Sequence, residues 1–134
     1  HYLPAAYNNR AELRQIEPYV YAQTTCSPYS SRAGQSRCPW LSGTASWAYF
    51  VAAQYILGIR PDYDGLIIDP CVPRWRSFSI SRRFRGKMVS ITVKNPKLVE
   101  KGVVSIELNG TPISGNVVPF SQMKNQNRVV VLMG

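Results

Sequence analysis

Hydrophobic and polar residues alternate through the second half of the chain. Phe78-Ser79-Ile80-Ser81, Val89-Ser90-Ile91-Thr92-Val93 and Val103-Val104-Ser105-Ile106-Glu107-Leu108 carry the two-residue period of strands that bury one face. Gly65-Leu66-Ile67-Ile68-Asp69 and Val129-Val130-Val131-Leu132 are apolar runs of strand length, and Asn109-Gly110 is a strong turn signal. Short strands punctuated by Gly, Pro and Asn predict a small antiparallel β-sandwich over residues 61–134.

Residues 1–60 read as helical. Asn8-Asn9 can cap a short helix through Arg10–Arg14, and Pro18 can open a second one over Tyr19–Gln23. Ser27–Pro39 is loop chemistry, broken by Pro28, Gly34 and Pro39. The strongest helix runs from Gly43 to Leu57, with Ser42 as N-cap and Gly58 as its stop. Arg60-Pro61-Asp62 then ends the helical half, which places the boundary at Gly58 to Tyr63. No internal repeat or low-complexity tract interrupts this division.

That helix has almost no polar stripe. Trp47, Tyr49, Phe50, Val51, Ala52, Tyr55, Ile56 and Leu57 surround it. A helix apolar on all sides is normally buried on all sides, and the short helices before it cannot cover it. The expectation is an α+β fragment whose helical half is the end of a larger helical assembly.

Composition narrows the partners. The chain has 134 residues, the size of one domain, with 45% hydrophobic and 17% charged residues, so it is not a disordered polymer. No apolar run approaches the ~20 residues of a membrane span, and no secretory leader is visible, so a cytoplasmic protein is expected. Cys26, Cys38 and Cys71 are odd in number and lack paired metal spacing, which favours a reducing compartment over a disulfide scaffold or zinc ribbon. The one histidine, His1, leaves no His-rich metal site and no triad within the chain.

The net charge of +9 comes from 16 Lys and Arg against 7 Asp and Glu. Most of the excess lies in Arg74, Arg76, Arg82, Arg83, Arg85, Lys87, Lys94, Lys97 and Lys101. Without an RNA-binding or helix-turn-helix signature, these read as solvated outer strand positions that blunt sheet edges, and nucleic acid is not expected as a partner.

One stretch can hold an anion. Ser42-Gly43-Thr44-Ala45 opens the long helix, where the first backbone N–H groups lack internal acceptors and the helix dipole is positive. Gly43 admits a ligand close to the backbone, Ser42 and Thr44 add hydroxyls, and Ala45 stands where a capping box would put a competing Glu or Gln. Plain N-capping explains the same residues.

Gln23 can bind sugar hydroxyls through both amide atoms, or satisfy a neighbouring backbone group. Glu17 can charge a helix N-terminus. Tyr19, Tyr21, Trp40 and Trp47 can stack on sugar rings or fill a core. Asp62, Asp64 and Asp69 sit beside Pro61, Gly65 and Pro70, where turn duty is the better reading.

These residues form recognisable motifs. Glu17-Pro-Tyr-Val-Tyr-Ala-Gln23, Trp40-Leu-Ser-Gly-Thr-Ala45 with Trp47, and Tyr55-Ile-Leu-Gly-Ile-Arg-Pro-Asp-Tyr-Asp-Gly-Leu66 closely resemble the C-terminal region of inverting glycoside phosphorylases of glycoside hydrolase family 94, which include cellobiose and chitobiose phosphorylases. Ile68-Asp-Pro-Cys-Val-Pro73, Arg83-Phe-Arg-Gly86 and Val93-Lys-Asn-Pro96 continue the resemblance.

The resemblance implies that residues 1–60 are the last part of an (α/α)6 catalytic barrel and residues 61–134 a C-terminal β-sandwich. It implies reversible, inverting phosphorolysis of a β-linked, cellobiose-like disaccharide to an α-sugar 1-phosphate and a free sugar. Inorganic phosphate is then a substrate, and no metal or organic cofactor is needed. Ser42 and Gly43 match the family's phosphate-holding Thr-Gly pair, with Ser keeping the hydroxyl. Gln23 matches a residue that contacts the sugar in the donor subsite. The family's general-acid Asp and its phosphate-binding Arg and His lie upstream of the matching region, so no catalytic residue is assigned here and the chain alone is expected to be inactive. The implied partners are the upstream part of the same enzyme and a second copy in a homodimer.

Two alternatives stand beside this reading. One is a related phosphorylase or transferase acting on β-1,2-glucans. The other is a non-catalytic basic β-sandwich that binds polysaccharide.

Overall fold

The computed structural model describes residues 11–17, 20–41 and 43–134. The expected Asn8-Asn9 cap, the helix start at Pro18-Tyr19 and the Ser42 N-cap lie outside the described residues. The chain divides into two units, one up to Tyr49 and one from Phe50 onward.

In the first unit, helix α1 (Ala11–Arg14) is followed by strands β1 (Ala22–Thr25) and β2 (Ser36–Pro39). The strands pair antiparallel, with Ala22 opposite Pro39 and Thr25 opposite Ser36. This corrects the helix expected up to Gln23 and the loop expected through Pro39. Val20 and Ala22 are buried while Tyr21 and Gln23 are exposed, a two-residue period that suits a strand. The β-branched pair Thr24-Thr25 favours the same conformation, and the Thr25 and Ser36 hydroxyls meet across the ladder at 3.0 Å.

Helix α2 (Thr44–Val51) runs straight into a π-helical turn, Ala52–Ile56, closed by the Leu57 amide on the Ala52 carbonyl at 2.9 Å. The helix expected over Gly43–Leu57 is thus present, with a widened last turn. None of its described side chains is buried. Trp47 is 67% exposed and Tyr49 is 78% exposed, so the described residues do not cover the all-round apolar surface.

The second unit is built on two sheets. Strands β3 (Ile59–Pro61), β4 (Gly65–Ile68) and β9 (Val117–Pro119) form one, in the order β3-β4-β9. Strands β5 (Ser77–Phe84), β6 (Lys87–Lys94), β7 (Val103–Leu108), β8 (Thr111–Ile113) and β10 (Gln126–Met133) form the other, in the order β5-β6-β10-β7-β8. Their inner faces share one core. Ile59, Leu66, Ile68 and Val118 come from the small sheet, and Val89, Ile91, Val93, Ile106, Val129 and Val131 from the large one.

The expected strands are all present, and β3, β8 and β9 are additional. The expectation of a purely antiparallel sandwich is corrected. β10 runs antiparallel to β7 but parallel to β6, with Val129 opposite Ile91 and Val131 opposite Val93. Local alternation cannot reveal this, because a strand's inward and outward positions are the same whichever way its neighbour runs. β3 falls where a helix end was expected. Arg60 and Pro61 pair with Ile67 and Leu66, and Pro61 is tolerated because β3 is an edge strand.

Buried polar side chains pin the irregular parts. Asn127 Oδ1 accepts the Lys124 amide at 2.8 Å and the Asn109 side-chain amide at 3.2 Å. Its Nδ2 donates to the carbonyls of Lys124 at 2.7 Å and Met88 at 3.1 Å. One side chain thereby joins the start of β10, the start of β6 and the β7–β8 turn. Asn95 similarly closes its loop through both the carbonyl and the amide of Val99.

Two glycines are demanded by packing. Gly58 has φ +68°, and a Cβ there would stand 2.1 Å from the Asp69 carbonyl oxygen. A Cβ at Gly65 would stand 1.9 Å from the Val118 carbonyl oxygen on β9. Both contacts are with backbone, which cannot swing aside. Among the described residues no helix is long and apolar enough to cross a membrane.

Two substitutions test these constraints. Gly65→Ala is expected to cost about 3 kcal/mol by forcing β4 and β9 apart, read as a lower denaturant midpoint, while exposed Ser105→Ala stays within about 0.5 kcal/mol. Asn127→Ala strands buried donors and acceptors and is expected to cost about 1–3 kcal/mol in the same measurement.

Candidate phosphate and sugar site

The motifs Glu17–Gln23 and Trp40–Ala45 belong to the first unit. The Glu17 carbonyl accepts the Val20 amide at 3.2 Å, and the buried Arg14 guanidinium donates to the Val20 carbonyl, just ahead of β1. Gln23 is exposed on β1, next to Ala22, whose ladder partner is Pro39 at the far end of β2. The geometry therefore brings Gln23 to the end of the hairpin from which the chain leaves for Gly43.

The exit from β2 is strained. Cys38 has φ 52° and Trp40 has φ 69°, on either side of Pro39. Non-glycine residues held in this region cost about 1–3 kcal/mol each and need support from their surroundings. Trp40 has such support, since its Nε1–H donates to Glu17 Oε1 at 3.3 Å. Sequence reading treated Glu17 and Trp40 separately. Their side chains are 23 positions apart, so nothing local in the chain signals the pairing.

Gly43 is exposed and precedes the first turn of α2, and its carbonyl accepts the Trp47 amide at 3.1 Å. The amides before Trp47 in this turn have no helical acceptor. No acidic side chain occupies the first turn of α2 to compete for them. Gly43 also differs from Gly58 and Gly65. It is not in the left-handed region, and a Cβ there would meet only Trp47 among the described residues, at an ordinary 3.7 Å. The packing of the described residues therefore gives no reason for a glycine at 43. Ser42, its expected partner in the cradle, lies outside the described residues.

The aromatics lie at the surface of the described residues. Tyr21, Trp40 and Trp47 are all exposed, Trp40 to 68%, so none of them is a core residue of this chain. Tyr19 lies outside the described residues.

The aspartates have structural work in the second unit. Asp62 and Asp64 frame the β3–β4 turn, where the Asp62 amide donates to the Gly65 carbonyl and the Asp64 carbonyl accepts the Phe120 amide, both at 2.8 Å. Asp69 is paired with Arg60 and Lys101, each at 3.6 Å.

Several of the basic residues are more engaged than expected. Arg85 donates to the carbonyls of Tyr63 at 3.0 Å and Asp62 at 3.2 Å, and stacks over Phe84 and Phe120. Arg82 reaches the Ile59 carbonyl at 2.9 Å, and Lys87 the carbonyls of Phe120 and Met123. Long basic side chains at strand edges and turns satisfy rim carbonyls while their stems lie on apolar surface. This gives Arg83-Phe-Arg-Gly86 a structural meaning, a hairpin tip that clamps the β3–β4 turn. Among the described residues no group of three or more His, Cys, Asp or Glu side chains could hold a metal ion.

Comparison with known proteins agrees with the motifs. Residues 1–58 match the family model of the glycosyl hydrolase 94 superfamily catalytic domain. The chain is 43% identical over 132 residues to an N,N'-diacetylchitobiose phosphorylase of Vibrio proteolyticus, covering 98% of the chain and 16% of that protein. It is 38% identical over 133 residues to the enzyme of the same name from Vibrio furnissii, covering 98% and 16%. A solabiose phosphorylase of Paenibacillus borealis is 33% identical over 119 residues, covering 88% and 16%. The chain thus spans about a sixth of the length of these relatives. With the family model matching residues 1–58 and the relatives matching 98% of the chain, the chain belongs to the glycosyl hydrolase 94 superfamily.

Proposed function

We propose that these residues are the C-terminal part of an inverting sugar phosphorylase and carry half of its phosphate site. Residues 1–60 are the end of the catalytic (α/α)6 barrel and residues 61–134 its C-terminal β-sandwich. The uncovered apolar surface of α2 supports this assignment, since it needs further helices to bury it. The intact enzyme is a cytoplasmic homodimer acting on a β-linked disaccharide of the cellobiose or chitobiose type.

In this reading phosphate sits at the start of α2, held by the Ser42 hydroxyl and by backbone N–H groups at Gly43 and beyond. Unpaired amides and the positive helix end stabilise its charge without reorganising. One phosphate oxygen attacks the anomeric carbon from the face opposite the leaving sugar, so the configuration inverts. Phosphate takes the place that water has in an inverting hydrolase, and the leaving oxygen is protonated by a carboxylic acid outside these residues. Gln23 binds hydroxyls of the sugar whose anomeric carbon reacts and fixes its orientation to phosphate. The reaction uses no metal or organic cofactor, and the chain alone does not turn over.

The observation that carries the proposal is Gly43, a glycine with no reason in the packing of the described residues, at the mouth of a helix whose first turn holds no acidic side chain. The test is phosphate-dependent release of sugar 1-phosphate by the intact enzyme. Gly43→Ala and Ser42→Ala are expected to raise the KM for phosphate about tenfold, with the KM for sugar and the melting temperature nearly unchanged. An unaltered phosphate KM in both variants removes the cradle. Gln23→Ala is expected to lower kcat/KM for the disaccharide about 10-fold to 100-fold at saturating phosphate, and wild-type kinetics there remove Gln23 from the sugar subsite.

A further inference from the structure

We infer that Glu17 is a positioning residue for the phosphate cradle and acts through Trp40. The inference rests on the phosphorylase reading and extends it to a residue that touches neither substrate. The β1–β2 ladder holds the chain as far as Pro39, opposite Ala22. Helix α2 takes hold again where the Gly43 carbonyl accepts the Trp47 amide. Between these anchors the backbone passes through Trp40 at φ 69°, a conformation that local preference does not maintain.

The indole of Trp40 is tied to the Glu17 carboxylate at 3.3 Å. Gly43 is three chain steps from Trp40, a span of at most about 11 Å, so the conformation held at Trp40 bears on where the amides of the cradle stand. Glu17 is also anchored in its own segment, because its carbonyl accepts the Val20 amide just ahead of β1. One carboxylate therefore links the segment that places Gln23 to the segment that places Gly43. The β1–β2 ladder sets the relation of the two segments only as far as Pro39, and the Glu17–Trp40 bond extends it one residue further toward Gly43.

The test compares Glu17→Leu, Glu17→Gln and Trp40→Phe in the intact enzyme, with inorganic phosphate and disaccharide varied separately. Glu17→Leu and Trp40→Phe each remove the hydrogen bond and are expected to raise the phosphate KM about fivefold, the worth of one ordinary hydrogen bond. The disaccharide KM is expected to stay within about twofold. Glu17→Gln keeps an acceptor oxygen and is expected to restore a near-wild-type phosphate KM. If Glu17→Leu does not fold, Trp40→Phe, which keeps an aromatic side chain without the indole N–H, decides the matter.

A wild-type enzyme without phosphate-dependent cleavage defeats the phosphorylase reading and this role with it. An active wild type whose variants keep its phosphate KM, or raise both KM values alike, overturns the positioning role and leaves the phosphorylase reading intact. Equal impairment in Glu17→Gln and Glu17→Leu also overturns it.

Discussion

Strand β10 holds the large sheet together. It lies between β6 and β7, so without it the sheet separates into the hairpins β5–β6 and β7–β8. Its inward residues Asn127, Val129, Val131 and Met133 alternate with outward ones along its length. Three of the four are apolar and belong to the shared core. Isolated two-stranded hairpins are marginal in water, so the hydrophobic gain of the sandwich comes only when this strand inserts. The insertion also makes the sheet mixed, because β6 and β7 run in opposite directions and a strand between them must run parallel to one of them. Asn127 sets its register at the start, where four hydrogen bonds leave no freedom to slip.

The small sheet is organised by backbone proximity rather than by side-chain volume. Gly58 lies against the Asp69 carbonyl and Gly65 against the Val118 carbonyl, at distances that exclude any side chain. Arg85 then clamps the β3–β4 turn from the tip of the β5–β6 hairpin. Much of the motif from Tyr55 to Leu66 is therefore explained by packing, with Asp62 and Asp64 in its turn, while Asp69 beyond it is held in ion pairs. Gly43, which the packing of the described residues does not require, is a residue of a different kind. This contrast separates the glycines that build the sandwich from the one assigned to a ligand.

The candidate site was legible in part. Gln23, Ser42 and Gly43 are named by motifs, and the helix opening at Gly43 follows from its apolar run and its stop at Gly58. The strand at Ala22–Thr25 was not legible as a strand. Val20, Tyr21, Ala22 and Gln23 are too few to distinguish one turn of helix from a two-residue period, and Pro18 is a good first residue for a helix. The partner segment Ser36–Pro39 carries Pro, Ser and Cys rather than the usual strand formers, so only its pairing with β1 defines it.

By itself the sequence determined strands β4, β5, β6, β7 and β10, the turn at Asn109-Gly110, the long helix and its stop, and the family. These are local patterns: alternation, capping, punctuation and motifs carry their meaning within a few residues. Only the tertiary structure decided that β10 enters the middle of the sheet parallel to β6, that Gly65 touches β9 across 53 positions of chain, and that Glu17 meets Trp40. Each of these joins residues far apart in sequence through backbone or a single hydrogen bond. Such contacts leave no periodic trace in either partner, because neither segment's own pattern of buried and exposed positions depends on which other segment it meets.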